Sequence, residues 1–142
     1  MLSTVAVGTD GSATAAVALE AAVEIARRFD AKLVLLSAFH GGDTRPRGAS
    51  SGSEELQWAY DNDARVREML ARTEAELKAQ KVECTTMAEE GDPAEVLVRL
   101  AEECGADLLV IGNLGMHRRV LGSVPNTVTH KAPCSVYVVK TT

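Results

Sequence analysis

Glycines and a serine near the end of the chain form the pattern with the clearest chemical meaning. Gly112 and Gly115 follow the run DLLVI at residues 107–111, which predicts a buried strand. Gly122 and Ser123 precede a predicted short helix over residues 124–131. Glycine lets the backbone approach a ligand closely, and a helix N-terminus adds unpaired N–H groups and a positive dipole end. The pattern is typical of a phosphate site, although two ordinary turns around a strand would give the same sequence.

A carboxylate stands at a second position of interest. Asp10 directly follows a β-branched run over residues 4–9, which predicts the first strand. At that place it could accept hydrogen bonds from an amine or hydroxyl of a ligand. It could equally cap the helix that follows, and Ser12 could share that role. The residues alone leave both interpretations open.

Other chemistries lack their signatures. The chain contains no GxxxxGK[ST], no GxGxxG after the first strand and no GxSxG. The three cysteines form no CxxC pair, and the three histidines show no metal-ligand spacing. We therefore expect no catalytic residue and no metal ligand, and we expect the cysteines to be reduced residues of the core.

Size and charge restrict the class of protein further. The 142 residues predict a single domain, residues 1–142, with a mostly aliphatic core because only 4% of residues are aromatic. The net charge of −5 argues against nucleic acid or a membrane surface as partner. No apolar run approaches the roughly 20 residues of a membrane span. With no leader-like segment at the start, we expect a cytoplasmic protein.

Strands and helices are predicted to alternate along the whole chain. Strands are expected at 4–9, 32–39, 82–89, 107–112 and 135–140, and helices at 13–29, about 54–80, 94–104 and 124–131. Residues 41–53 predict a surface loop. The first helix should bury the stripe Val17, Ala21, Ile25 and Phe29. Such long crossovers imply a parallel sheet that binds its ligand at the carboxyl ends of the strands.

Four segments together resemble the universal stress protein family, in its small single-domain form. They are VAVGTDGS at 5–12, GDP at 91–93, ADLLVIGNLG at 106–115 and LGSVPN at 121–126. The resemblance covers nearly the whole chain. It implies an α/β fold with a five-stranded parallel sheet in the order 3-2-1-4-5 and helices on both faces. This is the Rossmann-like fold of the adenine-nucleotide hydrolase type.

The ATP-binding branch of that family carries Gly-x2-Gly-x9-Gly-Ser/Thr, and here six residues rather than nine separate Gly115 from Gly122. The resemblance implies that Asp10 and the backbone of Ala38 hold the adenine–ribose end of a nucleotide. It places Gly112 and Gly115 beside the ribose and the phosphates. It also implies that backbone N–H groups at the start of the last helix donate hydrogen bonds to phosphate oxygens. The implied ligand-binding residues are Thr9, Asp10, Ala38, Gly112, Asn113, Gly115, Arg118, Gly122, Ser123 and Val124.

The resemblance implies a regulatory stress-response protein that binds ATP, with or without Mg²⁺, and has at most slow ATP hydrolysis. AMP or cyclic AMP in the same pocket is an alternative, because the shorter link would make fewer phosphate contacts. A nucleotide-free interaction protein is the other alternative. The last strand, from Ser135 to Lys140, is apolar on both faces and should lie at a sheet edge, so we expect a homodimer through it.

Overall fold

The computed structural model describes residues 1–41, 62–113 and 123–141. The predicted loop falls almost entirely outside these ranges. The strands are β1 Thr4–Gly8, β2 Lys32–Phe39, β3 Thr85–Glu90, β4 Leu108–Gly112 and β5 Ser135–Val139. The helices are α1 Ala13–Phe29, α2 Asp63–Ala79, α3 Pro93–Glu103 and α4 Ser123–Lys131. No helix in these ranges is long and apolar enough to cross a bilayer.

The five strands form one parallel sheet in the order β3-β2-β1-β4-β5. This confirms the predicted fold class and strand order. Central β1 pairs with β2 on one side and β4 on the other, so that Val5 lies between Leu33 and Leu108. The chain moves outward from β1 through β2 to β3, then crosses back to β4. The order of the strands therefore reverses between β1 and β4.

Each face of the sheet carries its own core. Val7 and Leu35 pack on one face with the buried sides of α1 and α2. Leu36 and Leu109 pack on the other face with α3 and α4, where Leu97 of α3 is almost completely buried. Because truncating such a leucine to alanine costs about 2–5 kcal/mol, these layers fix the positions of the helices over the sheet.

The buried face of α1 differs from the predicted stripe. Val17 is 40% exposed and Phe29 is 52% exposed, while Ala21 and Ile25 are only partly buried. The inward face instead centres on alanines, because their small side chains let the helix backbone approach the sheet closely. Its buried residues are Ala15, Ala18, Ala22, Val23 and Ala26.

Two predicted boundaries were also wrong. The helix predicted over about 54–80 does not run through Asn62: the extended Asn62 accepts a hydrogen bond from Arg65 N at 3.0 Å through its side chain and caps α2, which begins at Asp63. The predicted helical residues before Asn62 lie outside the described ranges. Strand β3 begins at Thr85 rather than residue 82. Its expected position at an edge of the sheet is confirmed. The remaining boundaries agree within one residue.

Asp107 joins the amino ends of β1 and β4, the two strands at which the order reverses. Its Oδ2 accepts hydrogen bonds from Ser3 N and Thr4 N, both at 2.9 Å, and its own N–H donates to Thr4 O at 2.9 Å. The two N–H donors hold the pKa of this carboxyl group below its ordinary value. The carboxylate thus helps to fix the register between β1 and β4.

Replacing Asp107 by alanine should lower the free energy of unfolding at neutral pH, because two strand-end N–H groups lose their acceptor. The folded-state pKa lies below the ordinary value of 3.8, so this stabilisation is complete above that pH and is lost as the pH falls through the folded-state value. Urea unfolding should show the difference between the two proteins shrinking in that acid range. Glu20→Ala, which removes an exposed carboxylate of α1, is the control. A difference for Asp107→Ala that did not change with pH would contradict this role.

Candidate nucleotide-binding crevice

The buried polar side chains of the described residues are concentrated in one place. Thr9, Asp10, Ser37 and Asn113 are the four polar residues that are buried there. They lie at or just beyond the carboxyl ends of β1, β2 and β4. Burying polar groups is costly unless they are hydrogen-bonded or serve a function, so this grouping marks the carboxyl edge as the candidate site.

The first part of the site is the turn between β1 and α1. Asp10 is only 5% exposed, and its Oδ1 accepts a hydrogen bond from Ser12 N at 2.9 Å. Ser12 is the N-cap of α1, because its Oγ accepts from Ala15 N at 3.2 Å. The helix cap is therefore Ser12, and Asp10 braces the turn that leads to it. This arrangement holds a carboxylate at the carboxyl end of β1, where the order of the strands reverses between β1 and β4.

Gly11 makes this turn possible. Its φ of +81° lies in the left-handed region, and a Cβ at this position would come within 2.8 Å of Met69 Cγ. Helix α2 thus packs directly beneath the turn. Glycine at position 11 is therefore required by this close packing as well as by the conformation of the turn.

Ser37, which the sequence analysis did not select, fixes the end of β1. Its Oγ donates to the carbonyl oxygen of Thr9 at 2.7 Å, and Thr9 N donates to Leu36 O at 2.9 Å. A single hydroxyl inside the apolar run of β2 is the signal that could have identified it. Through these two bonds, the position of Asp10 is set by β2 as well as by its own strand.

The second part of the site is the end of β4. Asn113 N donates to Val139 O at 3.1 Å and so continues the ladder to β5. The Asn113 Oδ1 accepts from the backbone N–H of Thr141 at 2.8 Å and from its hydroxyl at 2.6 Å. No sequence pattern predicted the role of Thr141, because nothing in the Thr-Thr pair at 141–142 indicates a tertiary contact.

Helix α4 supplies the third part. Its first residue, Ser123, is exposed, whereas Val124 is buried and lines a small cavity at the reversal point. The N-terminal turn of α1 reaches the same cavity through Ala15. Two positive helix ends therefore meet where β1 and β4 diverge, an arrangement that favours an anion.

The cavity has a volume of about 20 Å³, which is room for a single water molecule. A nucleotide needs far more space, so its place would be across the strand ends above this cavity. The lining residues come from both sides of the reversal: Gly8, Asp10, Ala15, Leu97, Ile111, Gly112 and Val124.

The structure thus brings several of the predicted residues together. Asp10, Gly112 and Val124 line one cavity, while Thr9, Asn113 and Ser123 adjoin them in the chain. Ala38 is buried in β2 and does not line the cavity. The remaining predicted residues, Gly115, Arg118 and Gly122, lie outside the described ranges.

Metal and thiol chemistry find little support in the described residues. No three His, Cys, Asp or Glu side chains gather there as a possible metal site. The three cysteines are half-buried and free, and burial is the main cause that raises the pKa of each thiol. At neutral pH they are accordingly weak nucleophiles.

A much larger groove, about 1310 Å³, lies at the opposite edge of the sheet. It runs between the C-terminal halves of α1 and α2, beside the start of β2 and β3. Its charged residues are mixed in sign: Arg27, Asp30, Lys32, Glu74, Lys78, Lys81 and Glu83. Helix C-termini carry negative dipole ends, and parallel sheets bind ligands at the carboxyl edge, so the smaller crevice is the better candidate despite its volume.

Replacing Ser37 by alanine should destabilise the fold by about 1–3 kcal/mol, because the buried carbonyl of Thr9 loses its hydroxyl donor. Chemical denaturation measures this difference. The control is Ser135→Ala at an exposed position of β5, which should change stability by less than about 0.5 kcal/mol. Equal effects of the two substitutions would show that the Ser37 bond does not hold the end of β1.

Comparison with known proteins places these features in a family. The profile of the Universal stress protein family matches residues 1–140. Universal stress proteins of two Mycobacterium tuberculosis strains are each 37% identical to this chain over 145 residues. The match covers 98% of this chain and 97% of each relative.

Solved structures show the same architecture. A universal stress protein crystallised in complex with cAMP superposes with a TM-score of 0.76 at 32% identity, covering 99% of both chains. The universal stress protein of Archaeoglobus fulgidus in complex with dAMP superposes with a TM-score of 0.68 and covers 99% of this chain and 98% of its own. At 22% identity, that second likeness concerns the fold alone.

Proposed function

The chain belongs to the universal stress protein family, and we propose that its crevice binds an adenine nucleotide, with ATP as the ligand. The observation that carries this proposal is the meeting of the buried carboxylate of Asp10 with the N-terminal end of α4 at one cavity. In this proposal the protein works in the cytoplasm as a regulatory module that responds to stress. Its function is binding rather than catalysis, with at most slow hydrolysis of ATP.

The two ends of the crevice complement the two ends of a nucleotide. A carboxylate accepts hydrogen bonds, so Asp10 suits the hydroxyl and amino groups of a nucleoside. The start of α4 offers backbone N–H groups and the positive end of a helix dipole, which suit phosphate oxygens. Gly112 lines the same cavity and presents no side chain to a ligand that crosses β4.

The length of the link between Gly115 and Gly122 bears on which nucleotide is preferred. Six residues make a shorter link than the nine of the ATP-binding pattern. Cyclic AMP, with one phosphate, needs fewer contacts than ATP, and the 32% identical relative was crystallised with cAMP. Cyclic AMP is therefore the second candidate, with AMP beside it. We assign no described residue to Mg²⁺, since the carboxylates there form no cluster of three.

We extend the proposal to assembly. β5 is the last strand of the described sheet order, so one of its edges carries unpaired backbone groups, and Tyr137 is 43% exposed. Val136 and Val138 are partly buried on the other face. Edge strands of this kind pair readily with a second copy, and a two-fold dimer is the commonest arrangement.

The nucleotide proposal predicts that ATP raises the thermal stability of the protein. A ligand at 100 times its dissociation constant adds about 2.7 kcal/mol to the free energy of unfolding. A thermal-shift panel of ATP, ADP, AMP and cyclic AMP, followed by calorimetry, measures affinity and preference together. If the wild-type protein gave no heat with any of them at millimolar concentration, the nucleotide-free interaction protein would be the better account.

Asp10→Asn tests the residue at the centre of the proposal. The variant keeps a side-chain oxygen for Ser12 N but removes the charge, so nucleotide affinity should fall by about 1.5–3 kcal/mol, the value of a hydrogen bond to a charged group. Asp107→Asn is the matched control. Asp107 also accepts backbone N–H bonds, but at the opposite edge of the sheet. Unchanged affinity for Asp10→Asn would reduce Asp10 to a brace of the turn.

The assembly proposal predicts a species of about twice the 15.1 kDa chain mass in sedimentation at micromolar concentration. Val138→Lys should shift the equilibrium toward monomer, because the new charge disturbs the edge strand. Thr85→Lys, on the opposite edge strand β3, serves as the control and should remain dimeric. A wild-type monomer under these conditions would contradict the proposal.

A further inference from the structure

Asn113 carries a buried donor whose purpose the fold does not explain. The residue is 1% exposed, and its Nδ2 has no hydrogen-bond partner among the described residues. The orientation of the amide is fixed by Thr141, because only the Oδ1 can accept the backbone N–H that lies 2.8 Å away. The NH₂ group is therefore left pointing elsewhere in a buried environment.

Such an arrangement is costly. A buried donor without an acceptor loses about 1–3 kcal/mol relative to a satisfied one, and folded proteins contain few of them. The bonds to Thr141 need only an acceptor, which an aspartate or a hydroxyl group could also provide. The asparagine carboxamide also carries a donor, Nδ2, which the bonds to Thr141 do not use. Its presence therefore needs a separate explanation.

The position of Asn113 suggests the missing partner. It directly follows Gly112, which lines the crevice together with Asp10 and Val124. Asp10, at the end of the neighbouring strand, can accept hydrogen bonds from a ligand, whereas Asn113 Nδ2 can only donate them. The acceptor-rich part of a nucleotide is its phosphate, and the end of β4 is the side of the crevice that leads to α4.

We propose that Asn113 Nδ2 donates a hydrogen bond to a phosphate oxygen of the bound nucleotide, and that Thr141 positions the carboxamide for it. This inference rests on the proposed nucleotide-binding function and assigns a specificity role within that site. Thr141 is thereby a positioning residue, since it holds the amide oxygen with both its N–H and its hydroxyl. Thr141, which follows β5, is coupled to the ligand in this way.

Asn113→Asp separates the donor from the rest of the side chain. The substitution keeps the shape and the oxygen that holds Thr141, but it replaces NH₂ by an anionic oxygen that repels phosphate. Affinity for ATP and for cyclic AMP should fall at least tenfold, while affinity for adenosine, which has no phosphate, should change less than threefold. Calorimetry on the full chain measures all three ligands.

Asn62→Asp is the matched control. Asn62 also accepts a backbone N–H through its Oδ1, so the same substitution adds the same charge at a helix cap. It should leave all three affinities within about twofold. Equal affinity of wild type and Asn113→Asp for ATP and cyclic AMP would overturn the role of Asn113 alone. Failure of the wild type to bind any adenine compound would overturn the nucleotide function, and this inference with it.

A measurement on the wild-type protein covers the case in which Asn113→Asp does not fold. The side-chain NH₂ signals of Asn113 are followed by NMR as ATP is added. Formation of the proposed bond should move these signals and slow their exchange with water, whereas adenosine should have little effect. Signals that stayed unchanged at saturating ATP would overturn the proposal.

Discussion

The reversal of strand order between β1 and β4 is the constraint on which the rest of the structure depends. The chain leaves β1 toward β2 on one side of the sheet and leaves β4 toward β5 on the other side. The helices that follow these two strands, α1 and α4, therefore pack on opposite faces of the sheet. The ends of the two strands diverge and leave a crevice. The N-termini of α1 and α4 then meet at it. Asp107 holds the same two strands in register at their other ends.

The polar residues show how the protein uses this crevice. All four buried polar side chains of the described residues lie along the carboxyl edge, and the opposite edge, despite its larger groove, has none. Ser37 ties Thr9 to β2, and Asn113 holds Thr141. A ligand would therefore meet groups that are already oriented before it binds, which reduces the entropy that binding must overcome.

Sequence patterns predicted the alternating strands and helices, the parallel sheet and the turns at Asp10 and Gly112, because glycine turns and β-branched runs report local conformation. The order of the strands and the place of Asn113 in the site came instead from the family resemblance, because strand order depends on pairing between segments distant in the chain. The patterns missed Ser37 and Thr141, whose roles consist of single hydrogen bonds between segments distant in the chain. They also misplaced the buried face of α1. There the larger side chains suggested a core stripe, whereas the close approach of helix and sheet selected the alanines instead. Such preferences depend on tertiary packing and leave no local signal.

The central claim is that the carboxyl-edge crevice, rather than the larger groove, is the nucleotide site. Backbone amide shifts followed by NMR during titration with ATP test this most directly. The account predicts that the largest changes occur at Asp10, Ser12, Asn113 and Ser123, around the reversal of strand order. Changes concentrated instead at Lys32, Lys78 and Cys84, which line the groove at the amino edge, would contradict it.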